Sequence, residues 1–153
     1  MAITDSKRLN VVLNYLYPNL NKKIMKDGTI ANMVEPRLCD YILQNNSDGN
    51  GTLVVWQNKE IPEPTAQELT DAKEPAINSH WLILLRFERD KLLRASDWSQ
   101  APDVPSDLKA SYVDYRQKLR DLPTTVTQPS FETLNNQTFK EWDINSLMPT
   151  KPE

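Results

Sequence analysis

The chain has 153 residues, 39% of them hydrophobic and 25% charged, with a formal net charge of −3 and a pI near 5.3. That length allows one ordinary domain or two very small ones, each with a modest core. An acidic chain is a poor general binder of nucleic acid or of anionic membranes, both of which need a basic face, so protein partners are the expectation.

No apolar run approaches the length of a membrane span, and the first residues, MAITDSKRLN, lack the hydrophobic stretch of a signal peptide. A protein of the cytoplasm is expected. The single cysteine, Cys39, allows no internal disulfide, and with no histidine or cysteine close by in sequence it reads as a small packed residue and not as a nucleophile. Eleven prolines against three glycines point to stiff connectors.

From the N-terminus, Asp5 or Ser6 is placed to cap a short helix whose apolar face is Leu9, Val12, Leu13 and Leu16, ending before Pro18. Residues 19–37 read as polar and turn-rich, with a reversal at Asp27-Gly28 and a short strand at 29–34 anchored by Ile30, Met33 and Val34. The β-branched and aromatic runs CDYILQ (39–44) and TLVVWQ (52–57) predict a β-hairpin around the loop 45–51. Two strands alone are marginal in water and need a third strand, a helix or a partner's sheet. Asn46, Asp48 and Asn50 alternate ahead of Gly51 as ligands do in a calcium loop. Gln57, however, stands where the bidentate Glu belongs and no helices flank the loop, so a hairpin turn is the better reading and no cofactor or metal is expected.

The connector NKEIPEP (58–64) leads to Thr65 and Glu68, which have the spacing of a capping box and open a short helix through Ala72. A longer helix follows from about Glu74 to Ser96, with Pro75 in its first turn and Trp81, Leu84, Leu85, Leu92 and Ala95 on one stripe. His80 lies on it. As the chain's one histidine it cannot build a two-histidine metal site, and a packing role is expected.

A second helix carries Leu108, Tyr112, Tyr115, Leu119 and Leu122 at the same periodicity. Ser106 is expected to cap it, Asp107 to meet its positive end and Pro123 to stop it. Two striped helices in tandem imply an antiparallel hairpin, with Trp98 as a roof over the turn. Arg86, Arg89, Arg116 and Arg120 fall near Asp90, Asp97 and Asp121. They read as guanidinium–carboxylate pairs that hold the hairpin in register, the other reading being a socket for a carboxylate or phosphate.

This stretch resembles a known family. Arg89, Asp90, Leu92, Leu93, Asp97, Trp98, Asp103, Pro105, Tyr115, Arg116, Gln117, Leu119, Arg120, Asp121 and Pro123 follow the order found in the small tail assembly chaperone domain of bacteriophages, with Tyr112 where that family more often has Trp. Residues 15–69 are fainter in their likeness: Tyr17-Pro18, Asp40-Tyr41, Trp56, Pro64-Thr65 and Glu68-Leu69 resemble small proteins of phage-like tail operons. The resemblance implies a phage protein that binds tail, baseplate or fibre proteins, either as an assembly chaperone in the host cytoplasm or as a resident subunit of the virion tail. A homo-oligomer is compatible with it, and a host-directed adaptor that uses the same hairpin is the alternative.

The last thirty residues carry Phe131, Leu134, Phe139, Trp142, Ile144, Leu147 and Met148 on a polar background, the pattern of an arm that docks on another surface or folds back on its own hairpin. The expected fold is α+β: an N-terminal helix, a small antiparallel hairpin or sheet, a central helical hairpin and an extended C-terminal arm. The expected divisions are 1–73, 74–123 and 124–153. No Walker loop, nucleotide fingerprint, zinc spacing or nucleophile elbow occurs, so no enzyme is expected. The expected protein-binding residues are Trp98, Phe139, Trp142 and Phe131. Arg89, Asp90, Asp97, Tyr112, Tyr115, Arg116, Arg120 and Asp121 are expected to structure the hairpin.

Overall fold

A computed structural model describes residues 6–20, 22–26, 40–45 and 51–153. The expectations for Asp5, the Asp27-Gly28 reversal, a strand at 29–34, Cys39 and the loop at 46–50 lie outside the described residues. The fold is α+β, and the chain divides into two compact units, Met1–Ile77 and Asn78–Glu153.

The first unit packs one helix on a small sheet. Helix α1 (Ser6–Leu16) turns Leu9 and Leu13 onto Tyr41 and Leu43 of the sheet, as the i, i+4 spacing of the two leucines allows. Strand β1 (Lys22–Lys26) runs parallel to β2 (Tyr41–Asn45), which pairs antiparallel with β3 (Gly51–Trp56). The predicted hairpin thus gains its third strand from a region read as polar turns. The composition of KKIMK gives little sign of a strand, and strand formation depends more on what a segment can pair with than on its own preference. Because β2 lies between the other two strands, Tyr41, Ile42 and Leu43 are all buried in succession. A bulge skips Val54, since Ile42 pairs with Val55 and Leu43 with Leu53.

The exit from β3 is pinned by Asn58. Its amide donates to the Asp40 carboxylate at 2.8 Å, while its side-chain oxygen accepts from the backbone N–H groups of Glu60 and Ile61. Helix α2 (Ala66–Asp71) opens with the predicted capping box: Thr65 Oγ1 accepts from Glu68 N–H, and the Glu68 carboxylate accepts from Thr65 N–H at 2.7 Å. The bonds that the carboxylate accepts from the Thr65 N–H and the Thr65 hydroxyl favour its charged form and lower the Glu68 pKa from its ordinary value.

Helix α3 (Lys73–Ala95) runs through the division between the units and ends in a 3-10 turn, Asp97–Gln100. In the second unit α4 (Ser106–Thr125) completes the helical hairpin: Tyr112, Tyr115 and Leu119 form its core, with Leu92 and Leu93 of α3 packed against them. Three local expectations are corrected here. Ala95 is exposed and its neighbour Ser96 takes the buried position. Ser106 is not the cap: Pro105 stands at the N-cap, its carbonyl accepts from Lys109 N–H at 2.9 Å, and the Ser106 hydroxyl turns to the Asp107 carboxylate. Pro123 does not stop α4. Its ring removes one backbone donor, but Val126 N–H still closes onto the Leu122 carbonyl at 3.0 Å, so the last turn is kept.

The segment expected as an extended arm contains α5 (Phe131–Asn136), capped by Ser130, and a 3-10 turn at Ile144–Leu147. Leu134, Trp142 and Ile144 are buried, and Met148 packs against the Tyr112–Tyr115–Leu119 core, so this segment folds back on the hairpin.

Candidate protein-binding surface

The centre of the second unit is a single guanidinium. Arg116, buried in the third turn of α4, donates through Nη1 to the Leu93 carbonyl at 2.6 Å and to Ser96 Oγ at 2.8 Å, and through Nη2 to the Asp97 carboxylate at 2.8 Å. One side chain therefore ties α4 to the last turn of α3, to the residue that ends it and to the turn that follows. A cation at a helix C-terminus also meets the negative end of the dipole. The Asp97 side chain is 64% exposed, so the ion pair itself is worth little, and the weight falls on the bonds to Leu93 and Ser96.

The other charged residues expected to register the hairpin do not bridge the two helices. Arg89 pairs with its own neighbour Asp90 at 2.7 Å, and Asp121 accepts from Gln117 one turn back along α4. Arg120 is exposed and, among the described residues, has no ion pair.

The turn fixed by Arg116 presents Trp98. Its indole stands edge-on to Tyr112, with ring centroids 5.0 Å apart, and Tyr112 meets Tyr115 in the same manner at 6.0 Å. Burial, with Tyr112 adding to it, pushes the Tyr115 hydroxyl above its ordinary pKa. Trp98 itself remains 50% exposed. It is an aromatic side chain held on a stiff base with one face open, which is the usual form of an interface anchor.

Trp142, expected as a second anchor, is placed differently. It is only 5% exposed, its indole N–H donates to the Leu134 carbonyl at 3.0 Å, and its ring lies 4.7 Å from Phe139 and 6.0 Å from His80. Phe139 and Phe131 are half-buried. His80 sits 5.0 Å from the Phe139 ring, and its burial lowers its pKa. Trp142 thus fastens the C-terminal segment, whereas Trp98 stays half-exposed.

Among the described residues of this unit, three exposed large apolar residues were not singled out by sequence: Ile83 and Phe87 on α3 and Val113 on α4. The periodicity that predicts a core stripe carries no mark for apolar residues on the opposite face. The signal lay in α3 having apolar residues on more than one side.

Comparison with known families places this unit. Residues 82–142, from the second unit's part of α3 through α5 to Trp142, match the family described as phage tail assembly chaperone protein. The helical hairpin with the start of the segment after it, through Trp142, is accordingly a tail assembly chaperone-like domain. Searches of the curated proteins and of the solved structures found no match. Among the described residues no helix is long and apolar enough to cross a membrane.

Proposed function

We propose that this chain acts in phage tail assembly by binding tail, baseplate or fibre proteins in the host cytoplasm, covering their apolar surface until they are incorporated, and that it does so without making or breaking covalent bonds. The observation that supports this reading is the half-exposed Trp98, seated on Tyr112 in a turn that Arg116 holds still, inside the segment that matches the tail assembly chaperone family. Anchors of this kind bind by burying a rigid ring that loses little entropy on docking. Phe131 and Phe139 are half-buried candidates in the same unit, Phe139 beside His80 and so towards the other end of α3 from Trp98.

Co-expression tests it. The full chain should keep a tail or fibre protein of the same phage in the soluble fraction, and Trp98→Ala should lose that effect while its melting temperature changes little. If no tail component gains solubility, the chaperone role is wrong. A second reading, residence in the particle, predicts that mass spectrometry of purified virions finds the chain at a fixed stoichiometry, and the transient role predicts its absence there.

A further inference from the structure

Helix α3 is apolar on two sides. At about 100° per residue, Trp81, Leu85, Leu92 and Ser96 fall on one face, and all four are buried or partly buried. Ile83 and Phe87 come round to the opposite face, one turn apart, and are 55% and 58% exposed. A helix that serves one core needs one stripe, so paired apolar side chains on its outer face mark a surface that gains from being covered. The charges around that face are uneven. Arg89 is paired with Asp90 and Lys91 with Glu88, whereas Arg86 beside the apolar pair and Arg94 two turns further along the outer face are exposed and, among the described residues, have no ionic partner.

We propose that the outer face of α3 docks an amphipathic helix of a partner protein, whose apolar residues cover Ile83 and Phe87 and whose carboxylates meet Arg86 and Arg94. A second copy of this chain does not fit. Antiparallel pairing of α3 with itself about a two-fold axis brings the two Arg86 side chains together, and parallel pairing sets Arg94 against Arg94, so either way like charges oppose. The inference rests on the tail-assembly reading for the source of the helix but not for its chemistry.

The test uses two labelled synthetic helices, each about five turns long to be stably helical. One has leucines at i and i+4 flanked by glutamates; the other has lysines in place of the glutamates. Both are titrated into the full chain and followed by fluorescence anisotropy. The glutamate helix should bind at least about tenfold more tightly than the lysine helix and should weaken with added salt. The double variants Ile83→Ser/Phe87→Ser and Arg86→Glu/Arg94→Glu should each lose about tenfold in affinity with an unchanged circular dichroism spectrum. Equal binding of the two helices, or no loss in either variant, overturns the proposal. A chain that keeps a tail protein soluble yet ignores the acidic helix removes this face and leaves the tail-assembly reading intact. Binding of the acidic helix through Ile83 and Phe87 without any effect on tail proteins does the reverse.

Discussion

In the first unit Trp56 lies nearly parallel to Tyr41 at 5.9 Å, takes the edge of Tyr17 at 5.4 Å, and gives its indole N–H to the Ile61 carbonyl at 2.8 Å, so the ring is used within its own unit. In the second, Trp98 stands with half its surface open, and Ile83, Phe87 and Val113 are exposed as well, whereas Tyr15 is the one large hydrophobic so exposed in the first unit among the described residues. The same residue type closes a core in one unit and stays available in the other. What separates the two cases is backbone: the connector after β3 brings the Ile61 carbonyl to the Trp56 indole N–H, while the turn after α3, tied to α4 by Arg116, leaves Trp98 half-exposed. The exposed large hydrophobic side chains are thus concentrated, among the described residues, in the unit that contains the match to the chaperone family.

The comparison can be broken first at the cores. Trp81 is almost wholly buried, and Trp81→Ala in the full chain should cost roughly 3–5 kcal/mol, enough to abolish the cooperative melting of the second unit. Tyr41→Phe in the first unit removes only the hydrogen bond from its hydroxyl to Asn14 Oδ1 at 3.2 Å and should cost about 1 kcal/mol. That hydroxyl is held neutral, with a pKa pushed up to about 12 by burial and then by Asp40, so the difference between the two proteins should not vary between neutral pH and pH 9. Urea titrations would measure both changes.

Next in size is the lock. Arg116→Met keeps the aliphatic stem but removes the donor to Ser96 Oγ and the cross-helix bond to the Leu93 carbonyl, which still accepts from Ser96, and should cost roughly 1–3 kcal/mol. Asp97→Asn should cost less than about 1 kcal/mol, because its carboxylate is largely in water. If the two substitutions cost the same, the ion pair and not the helix-end carbonyl is what fastens the turn.

How much of this was legible in the sequence follows from the range of each interaction. Helix stripes and the Thr65–Glu68 capping box are read from residues three and four apart, and apart from Ala95 they appear as expected. Strand β1 was not legible, because what makes KKIMK a strand is its pairing with Tyr41–Asn45, a partner remote in sequence. The fate of the two tryptophans was equally hidden: Trp98 and Trp142 share composition and polar surroundings, and only the path of the chain shows that the carbonyl of Leu134 meets the second. Arg116 was one of several arginines near a stripe, and nothing local set it apart from Arg89 or Arg120.

A smaller effect is expected at His80. Burial against Phe139 and Trp142 lowers its pKa in the folded chain, so the unfolded chain binds the proton more readily. Its contribution to stability is therefore undiminished above the ordinary value of 6.5 and is lost progressively as the pH falls from there through the lowered folded value. The wild type should lose more stability than His80→Gln between pH 7.5 and 5.5, measured as the shift in urea midpoint, and parallel curves for the two would show that the C-terminal segment does not desolvate this ring.

A small change in stability is also expected from Trp98, and it is the most informative one for function. The ring contributes one edge-on contact with Tyr112 and buries only part of its area, so Trp98→Ala should cost about 1 kcal/mol, a shift of a few degrees in melting temperature. Trp142→Ala removes a buried ring together with a hydrogen bond and should cost roughly 3–5 kcal/mol. Two tryptophans in one unit would then differ severalfold in what they give to folding, and the order should invert for binding: a tail protein held by the wild-type chain should be released by Trp98→Ala at a temperature where that variant is fully folded. Were Trp98→Ala to destabilise as strongly as Trp142→Ala, the exposed face of its indole would be incidental to a structural role, and the two units would no longer differ in how they use their aromatic residues.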